Sequence, residues 1–442
     1  MRSERELYEH FWAYSAQRPV INTHCHLLPE AEFAHFDLEK LLRNSYLNWC
    51  GFDWEDNPAS RQDLFEKVRL RSAFTWLQKS LQSMYQSDRP LSAGTWEDWS
   101  GCIASAHAEA DFRRKLLQEF CGYRRLILDA YWQPGSDNQD PALFSPAFRV
   151  NSFFFGYALS ETDHDGNNPY RLYPRPFILE LEAYLDWLRE TVRLKRSQGC
   201  VALKVPIAYD RGLDFKEVSH TRASQVFASI TRRFASLERP AETSPAVIHG
   251  ENLPSNSPST GTSRAVELGI ASQDVKDFQD YLFFQVCQVA AELKMPLQVH
   301  TGTGQGKNTN ALCLLETIQK NPDTQFVLLH CSYPWIQDAS YLASRFPNVH
   351  ADLSMLPLFS SQAAGTVLEE LIEGVNSHKA AWGCDTWTPE ESYAALLALR
   401  HVLAWTLASR IANGYFDQEA AEFLIDNILY HNPKQLYGLQ DR

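Results

Sequence analysis

Eight short apolar runs constrain this chain more than any other feature. They are Val20 to His24, Arg125 to Tyr131, Asn151 to Leu159, Val201 to Ile207, Pro296 to His300, Gln325 to His330, Val349 to Ser354 and Ala380 to Asp385. Each has the length of a β-strand, and Phe326-Val327-Leu328-Leu329 is apolar without a break, as a strand buried on both faces must be. After the fourth run, helical patterns intervene at Val275 to Leu293, Ala311 to Asn321, Trp335 to Arg345 and Gln362 to Asn376. Strands alternating with helices predict a parallel sheet, and eight such units predict closure into an α/β fold of the (β/α)8 TIM-barrel type. With 442 residues, 44% of them hydrophobic, residues 1–442 can form one elaborated barrel.

Two stretches read as insertions. Residues 37–122, between the first and second runs, carry Leu, Trp and charged residues at helical spacing (Leu64-Phe65-Val68, Trp76-Leu77-Leu81-Tyr85) and predict an inserted α-helical subdomain. Residues 236–264 are dominated by Pro, Ser, Thr, Asn and Gly; with few large apolar side chains they predict a flexible insertion. Glu390 to Asn413 and Gln418 to Leu429 read as closing helices, with Tyr430-His431-Asn432-Pro433 ending the last.

The net charge of −13 argues against nucleic acid or an anionic membrane as partner. No apolar run approaches the roughly 20 residues of a membrane span, and Met1-Arg2-Ser3-Glu4-Arg5-Glu6 lacks a secretory apolar core, so a cytoplasmic location is expected. Nine cysteines without a C-x-x-C pair suggest buried, reduced thiols. Cys25 and Cys384 flank presumed ligands, but strand alternation turns them away, towards packing. A small-molecule substrate is the expected partner; self-association into a homo-oligomer through the helical insert stays open.

Chemistry follows from where the polar residues fall. His24 and His26 form a His-x-His pair at the end of the first run, and alternate strand residues share a face. Lys204 lies towards the end of the fourth run, and His300, His330 and Asp385 end the fifth, sixth and eighth. Active sites of such barrels gather at the carboxyl ends of the strands, so these side chains are expected to converge. Imidazoles and a carboxylate suit a borderline-soft divalent metal, Zn²⁺ foremost, as one or two ions. Such an ion activates water near neutral pH, and Asp385 could take the proton.

These residues carry a resemblance. Lys204-Val205-Pro206-Ile207-Ala208-Tyr209-Asp210-Arg211-Gly212-Leu213, Pro296-Leu297-Gln298-Val299-His300-Thr301-Gly302, Leu328-Leu329-His330-Cys331-Ser332-Tyr333-Pro334 and Asp385-Thr386-Trp387-Thr388-Pro389-Glu390 resemble the amidohydrolase superfamily. They are closest to its amidohydrolase-related branch, which includes the domain fused to glutamine synthetase in nodulin-like proteins. Pro19 to Leu27, followed by a helical insert containing Tyr46 and Trp49, also resembles the uronate isomerases. The resemblance implies His24, His26 and Asp385 as metal ligands, with His300 a further one. It implies His330 as a second-metal ligand or proton donor. Lys204 falls near the position that is carboxylated in some binuclear members, or it binds a substrate carboxylate with Arg211. Catalytic roles thus fall to Asp385, His330 and Lys204, and substrate contacts to Arg211, Tyr209, Trp335 and Trp387. Uronate isomerases resemble Asp-Ser-Arg after the eighth strand, whereas this chain reads Asp385-Thr386-Trp387. A Trp does not replace a planar carboxylate clamp.

Blander readings stand beside these. Thr301-Gly302-Thr303-Gly304-Gln305-Gly306 lacks the Lys-Ser/Thr ending of a phosphate loop and reads as a rim turn. His107, His164, His401 and the remaining histidines have no strand-end context and read as surface or structural, while Asp352 and Ser354 could reach the site. Three functions follow in order. The first is a metal-dependent hydrolase, its metal-activated water attacking an amide, lactone or ester of a small carboxylated substrate. The others are a uronate-isomerase-like aldose–ketose isomerase and a metal-binding scaffold without turnover.

Overall fold

The computed structural model describes residues 2–49, 51, 53–109, 111–236, 269–304 and 307–440. The expected flexible insertion at 236–264 therefore lies, apart from Ser236, outside the described residues. Eight strands follow one another in a single sheet: β1 (Val20–Cys25), β2 (Tyr123–Leu128), β3 (Phe144–Arg149), β4 (Ala202–Val205), β5 (Leu297–His300), β6 (Phe326–Leu329), β7 (Val349–Asp352) and β8 (Ala380–Ala381). The fold is the expected TIM barrel, with helices between most strands.

One strand differs from its expectation. The third lies at Phe144–Arg149, and Asn151–Phe155 is a 3-10 turn. Pro146 disguises the strand, yet its carbonyl accepts the Val201 amide at 2.9 Å, so the missing N–H costs that pairing nothing. Phe153, Phe154 and Phe155 are accommodated because every residue of that turn is buried. A short apolar run does not by itself separate strand from buried turn.

The chain forms two compact units, residues 1–128, 136–145 and 351–442 in the first and residues 129–135 and 146–350 in the second. In the first unit β1 pairs in parallel with β2, and β7 with β8. The backbone beyond β8 returns to β1: Thr23 N donates to Trp382 O at 3.1 Å, Asp385 N to His24 O at 2.9 Å, and His26 N to Thr386 O at 3.0 Å. Gly383 makes this approach possible, because a Cβ there would lie 2.4 Å from the His24 nitrogen.

Between β1 and β2 run the helices Leu38–Arg43, Pro58–Val68, Ser72–Met84, Trp96–His107 and Phe112–Lys115. Asp37 and Asn57 cap the first two by accepting from Lys40 N and Ser60 N, and Pro58 opens the second where its absent N–H is not needed. Phe74, Trp76, Leu77 and Leu81 line the buried face of the Ser72–Met84 helix. The Pro389–Ala412 helix is capped by Thr388, whose side chain accepts from Glu391 N. Contrary to the sequence expectation, it is long and apolar enough to cross a membrane, but its apolar stretch is 72% buried, as in a core helix. The last helix does not end at Pro433 either: a π-turn at Asn427–His431 leads into Asn432–Leu436, whose first turn accommodates the proline.

In the second unit β3 pairs in parallel with β4, β4 with β5 and β5 with β6, in registers such as Arg149↔Lys204 and His300↔Leu329. The Leu181–Ser197, His220–Ala235 and Ser272–Glu292 helices turn their apolar faces inward, with Leu185, Leu188, Phe227, Phe278 and Phe283 all buried. Phe283 stacks on Phe215 with ring centres 3.8 Å apart, and each such ring contributes roughly 1.5–3 kcal/mol through burial.

Candidate functional site

The first unit assembles a compact donor set. His24 lies in β1, His26 one residue beyond it, and the backbone bonds to the segment after β8 bring Asp385 beside both. Asp385 Oδ1 is 3.0 Å from His24 Nε2 and 3.1 Å from His26 Nε2. All three residues are buried. Asp385 holds a left-handed backbone conformation, φ +57°, which an aspartate tolerates at a small cost. Two imidazole nitrogens and a carboxylate oxygen crowded onto one point are a donor set that fits a divalent ion.

Tyr46, on the segment between β1 and β2, donates its hydroxyl to Asp385 Oδ2 at 2.5 Å. Its backbone amide in turn donates to Glu391 Oε1 at 2.6 Å. Burial pushes the Glu391 carboxyl well above the usual carboxylate range, and the nearby Cys384 and Asp385 push the same way. Its neighbour Glu390 behaves oppositely. Burial pushes Glu390 up, but His107 (2.6 Å) and the Tyr85 hydroxyl (2.8 Å) outweigh it and leave the carboxyl below its ordinary value. His107 is thus a structural histidine that fastens the Trp96–His107 helix to the start of Pro389–Ala412.

Trp387 is buried and stacks on His26, ring centres 5.5 Å apart, and on Trp49 at 6.0 Å. Asp352 accepts from Thr23 Oγ1 and from the amide and hydroxyl of Ser354, which makes it a brace between β1 and β7. Cys25 and Cys384 are buried; Cys384 Sγ accepts from Asn22 and Thr386. Six of the eight described cysteines are buried.

The second unit carries its own polar cluster. His300 ends β5 and His330 follows β6, and His330 Nε2 lies 2.9 Å from His300 Nδ1, within hydrogen-bond reach. His330, Cys331 and Ser332 all have positive φ, a strained turn held by Ser332 Oγ, which accepts from Ala311 N at 2.7 Å. Gly302 is required beside it, since a Cβ would fall 2.0 Å from Tyr333 O. Lys204 is buried with Nζ 4.0 Å from Asp129 Oδ2, and Arg149 Nη1 reaches the same oxygen at 3.1 Å. Arg149 Nε lies 3.0 Å from Asp165. Tyr209 packs between His300 (4.4 Å) and His164 (4.8 Å).

Sequence reasoning missed several of these groups. His164 is not a surface residue: Nδ1 is 2.9 Å from Asp210, and although burial pulls its affinity for a proton down, Asp165 and Asp210 raise it overall. Asp163 is pushed up to about 7 by burial and by Asp165 and Asp210. Arg149 ends β3 and Asp129 follows β2, so the strand-end rule finds them once the third strand is placed at Phe144–Arg149 and the second is ended at Leu128. Tyr46 and Glu391 carry no such signal.

Arg211 is engaged within the second unit: its Nη1 is 2.7 Å from the buried Asp280, and the guanidinium lies over the Phe215 ring. Trp335 is 39% exposed at the start of the Ile336–Arg345 helix.

Known proteins resemble this chain in sequence over part of its length and in fold. Residues 261–439 match the amidohydrolase family. A stretch of this chain is 33% identical over 178 residues to Protein fluG of Emericella nidulans; the match covers 38% of this chain and about a fifth (21%) of that protein. Among solved structures, glucuronate isomerase of Caulobacter crescentus has a TM-score of 0.73 at 15% identity, covering 100% of this chain and 95% of that one. Uronate isomerase of Thermotoga maritima has a TM-score of 0.71 at 15% identity, covering 98% and 97%. A Lactobacillus casei protein described as a metal-dependent hydrolase has a TM-score of 0.66 at 18% identity, covering 97% of each chain. At these identities the likeness is one of fold. Taken with the donor set, the matches support an amidohydrolase-like, metal-dependent function.

Proposed function

We propose that this chain is a metal-dependent hydrolase that cleaves an amide, lactone or ester bond in a small carboxylated substrate. The observation that carries the reading is the convergence of His24 Nε2 and His26 Nε2 on Asp385 Oδ1, beside a tyrosine hydroxyl on the other carboxylate oxygen. A divalent ion, zinc by the chemistry of the donors, would be held by His24, His26 and Asp385 and would supply Lewis-acid polarisation and a water of lowered pKa. Asp385 accepts a proton at Oδ1 or Oδ2, and Tyr46 fixes the orientation in which it does so. The hydrogen-bonded His300 and His330 can pass a proton between them, and the buried Lys204 ammonium suits a carboxylate. Trp387, packed flat on His26, supports hydrolysis over sugar-acid isomerisation, because the guanidinium expected of a uronate isomerase at that place is absent.

Elemental analysis of protein purified without chelator, followed by a panel of amides, lactones and esters, tests the reading. Alanine at His24, His26 or Asp385 is expected to abolish both bound metal and turnover while the chain stays folded. Full turnover in any of these variants refutes the assignment. Ketose formed from glucuronate or galacturonate would replace hydrolysis with isomerisation, and bound metal without turnover on any substrate would replace it with a scaffold role.

A further inference from the structure

Three arginines are buried among the described residues. Arg113 pairs with Glu30, and Arg149 with Asp129 and Asp165. The third, Arg400, sits in the middle of the Pro389–Ala412 helix, 3% exposed, and its Nε and Nη2 are buried with no hydrogen-bond partner. No described carboxylate pairs with it. The titratable groups whose fields reach it are Tyr393, Cys121 and Tyr123, all within the first unit. Burial pushes the Cys121 thiol and the Tyr123 phenol up, so both are neutral at pH 7, and the Tyr123 hydroxyl is engaged with Ser392.

An arginine cannot escape such a site by losing its proton. Burial lowers its affinity for that proton, yet the guanidinium stays charged. The desolvation penalty for an ion of this size is several kcal/mol, and native structures offset it with a counter-charge or a full set of hydrogen bonds. Arg400 has neither from the described residues, while donors on two of its nitrogens remain unused.

We propose that Arg400 anchors an anion-binding site that takes a small monovalent inorganic anion of the chloride class. One guanidinium without a second basic group beside it balances one negative charge. A site closed to 3% exposure favours a compact ion over an organic carboxylate. The site is anchored by Arg400, which is none of the metal donors His24, His26 and Asp385, so it does not rest on the hydrolase reading. Its effect is on stability, since an anion bound only by the folded chain raises the unfolding midpoint by mass action.

The test is thermal unfolding of the full chain in sodium chloride against sodium gluconate at constant ionic strength, for wild type and for Arg400→Met, an apolar side chain of comparable length. The wild-type midpoint is expected to rise saturably with chloride, by a few degrees, and the variant to be flat. A wild-type midpoint indifferent to chloride, or a variant that keeps the same rise, overturns the proposal. Should the variant fail to fold, crystals of the wild-type protein grown in bromide decide the matter. An anomalous peak at hydrogen-bond distance from the Arg400 guanidinium supports the site, and its absence overturns it.

Discussion

Replacing Gly383 by alanine should damage the metal donor set without touching any donor. The new Cβ would lie 2.4 Å from His24 N, 2.7 Å from His24 O and 2.8 Å from His24 Cβ, whereas ordinary contacts begin at 3.4 Å. The segment after β8 must therefore retreat from β1 by about 1 Å, the difference between 3.4 and 2.4 Å. Two of the three obstructing atoms are backbone, so no rotamer change relieves the clash. Overpacking of this kind costs roughly 1–3 kcal/mol, here towards the upper end. Asp385 rides on the displaced segment, and a shift of about 1 Å is large against the roughly 0.2 Å tolerance of metal–ligand distances. Metal affinity should fall at least as far as it does on losing an outer-shell support, about ten- to a hundredfold. Titration calorimetry with zinc and a thermal melt measure the two effects. Gly374→Ala is the control: nothing lies within 4 Å of its would-be Cβ, and neither stability nor affinity should drop. A Gly383→Ala protein that binds zinc like wild type at an unchanged midpoint would show that β1 and the segment after β8 do not set the donor geometry.

Further expectations concern charge. The Glu391 carboxyl binds its proton more tightly folded than unfolded, so its contribution to stability is greatest in acid and declines as pH rises above the unfolded value near 4.3, by about 1.4 kcal/mol per pH unit until the raised folded value is passed. Glu391→Gln should flatten the melting midpoint against pH and exceed wild type at pH 8; parallel pH profiles would contradict this. Arg211→Ala strands Asp280, which keeps Lys276 at 2.6 Å, so a loss of about 1–3 kcal/mol in urea unfolding is expected with KM unchanged. A raised KM at unchanged stability would assign Arg211 to the substrate. Dialysis against chelator should lower the unfolding midpoint, by an amount corresponding to about 2.7 kcal/mol if the metal had stood at a hundredfold its Kd, and zinc should restore it; no change would argue against a folded-state ion.

What the sequence reveals of this molecule follows from how locally each feature is encoded. The runs ending in His24, His300 and His330 combine strand composition with a polar terminus, and a strand end is a property of its own few residues. The third strand is obscured because Phe144-Ser145-Pro146-Ala147-Phe148-Arg149 contains a proline, while the following phenylalanines imitate a strand. That misplacement also hides Arg149, whereas Asp129 is hidden because the expected second run continues past it to Tyr131. Tyr46 and Glu391 are hidden for a different reason. Tyr46 lies more than 300 residues from both Glu391 and Asp385, and that relation leaves no periodicity behind. For Arg211 the unseen element is a partner: an arginine beside a strand end looks available in sequence, and the helix bearing Asp280 packs against it.

The return of the backbone beyond β8 onto β1 puts a clock on the candidate centre. His24 and His26 leave the ribosome early, but the carboxylate that completes their set is residue 385, and the three hydrogen bonds that deliver it cannot form until that residue has emerged. A nascent chain shorter than this lacks the carboxylate oxygen that both imidazoles meet. Completion of this donor set then becomes a late event in synthesis, and a molecule that holds it is by that fact one whose first and last strands have found each other.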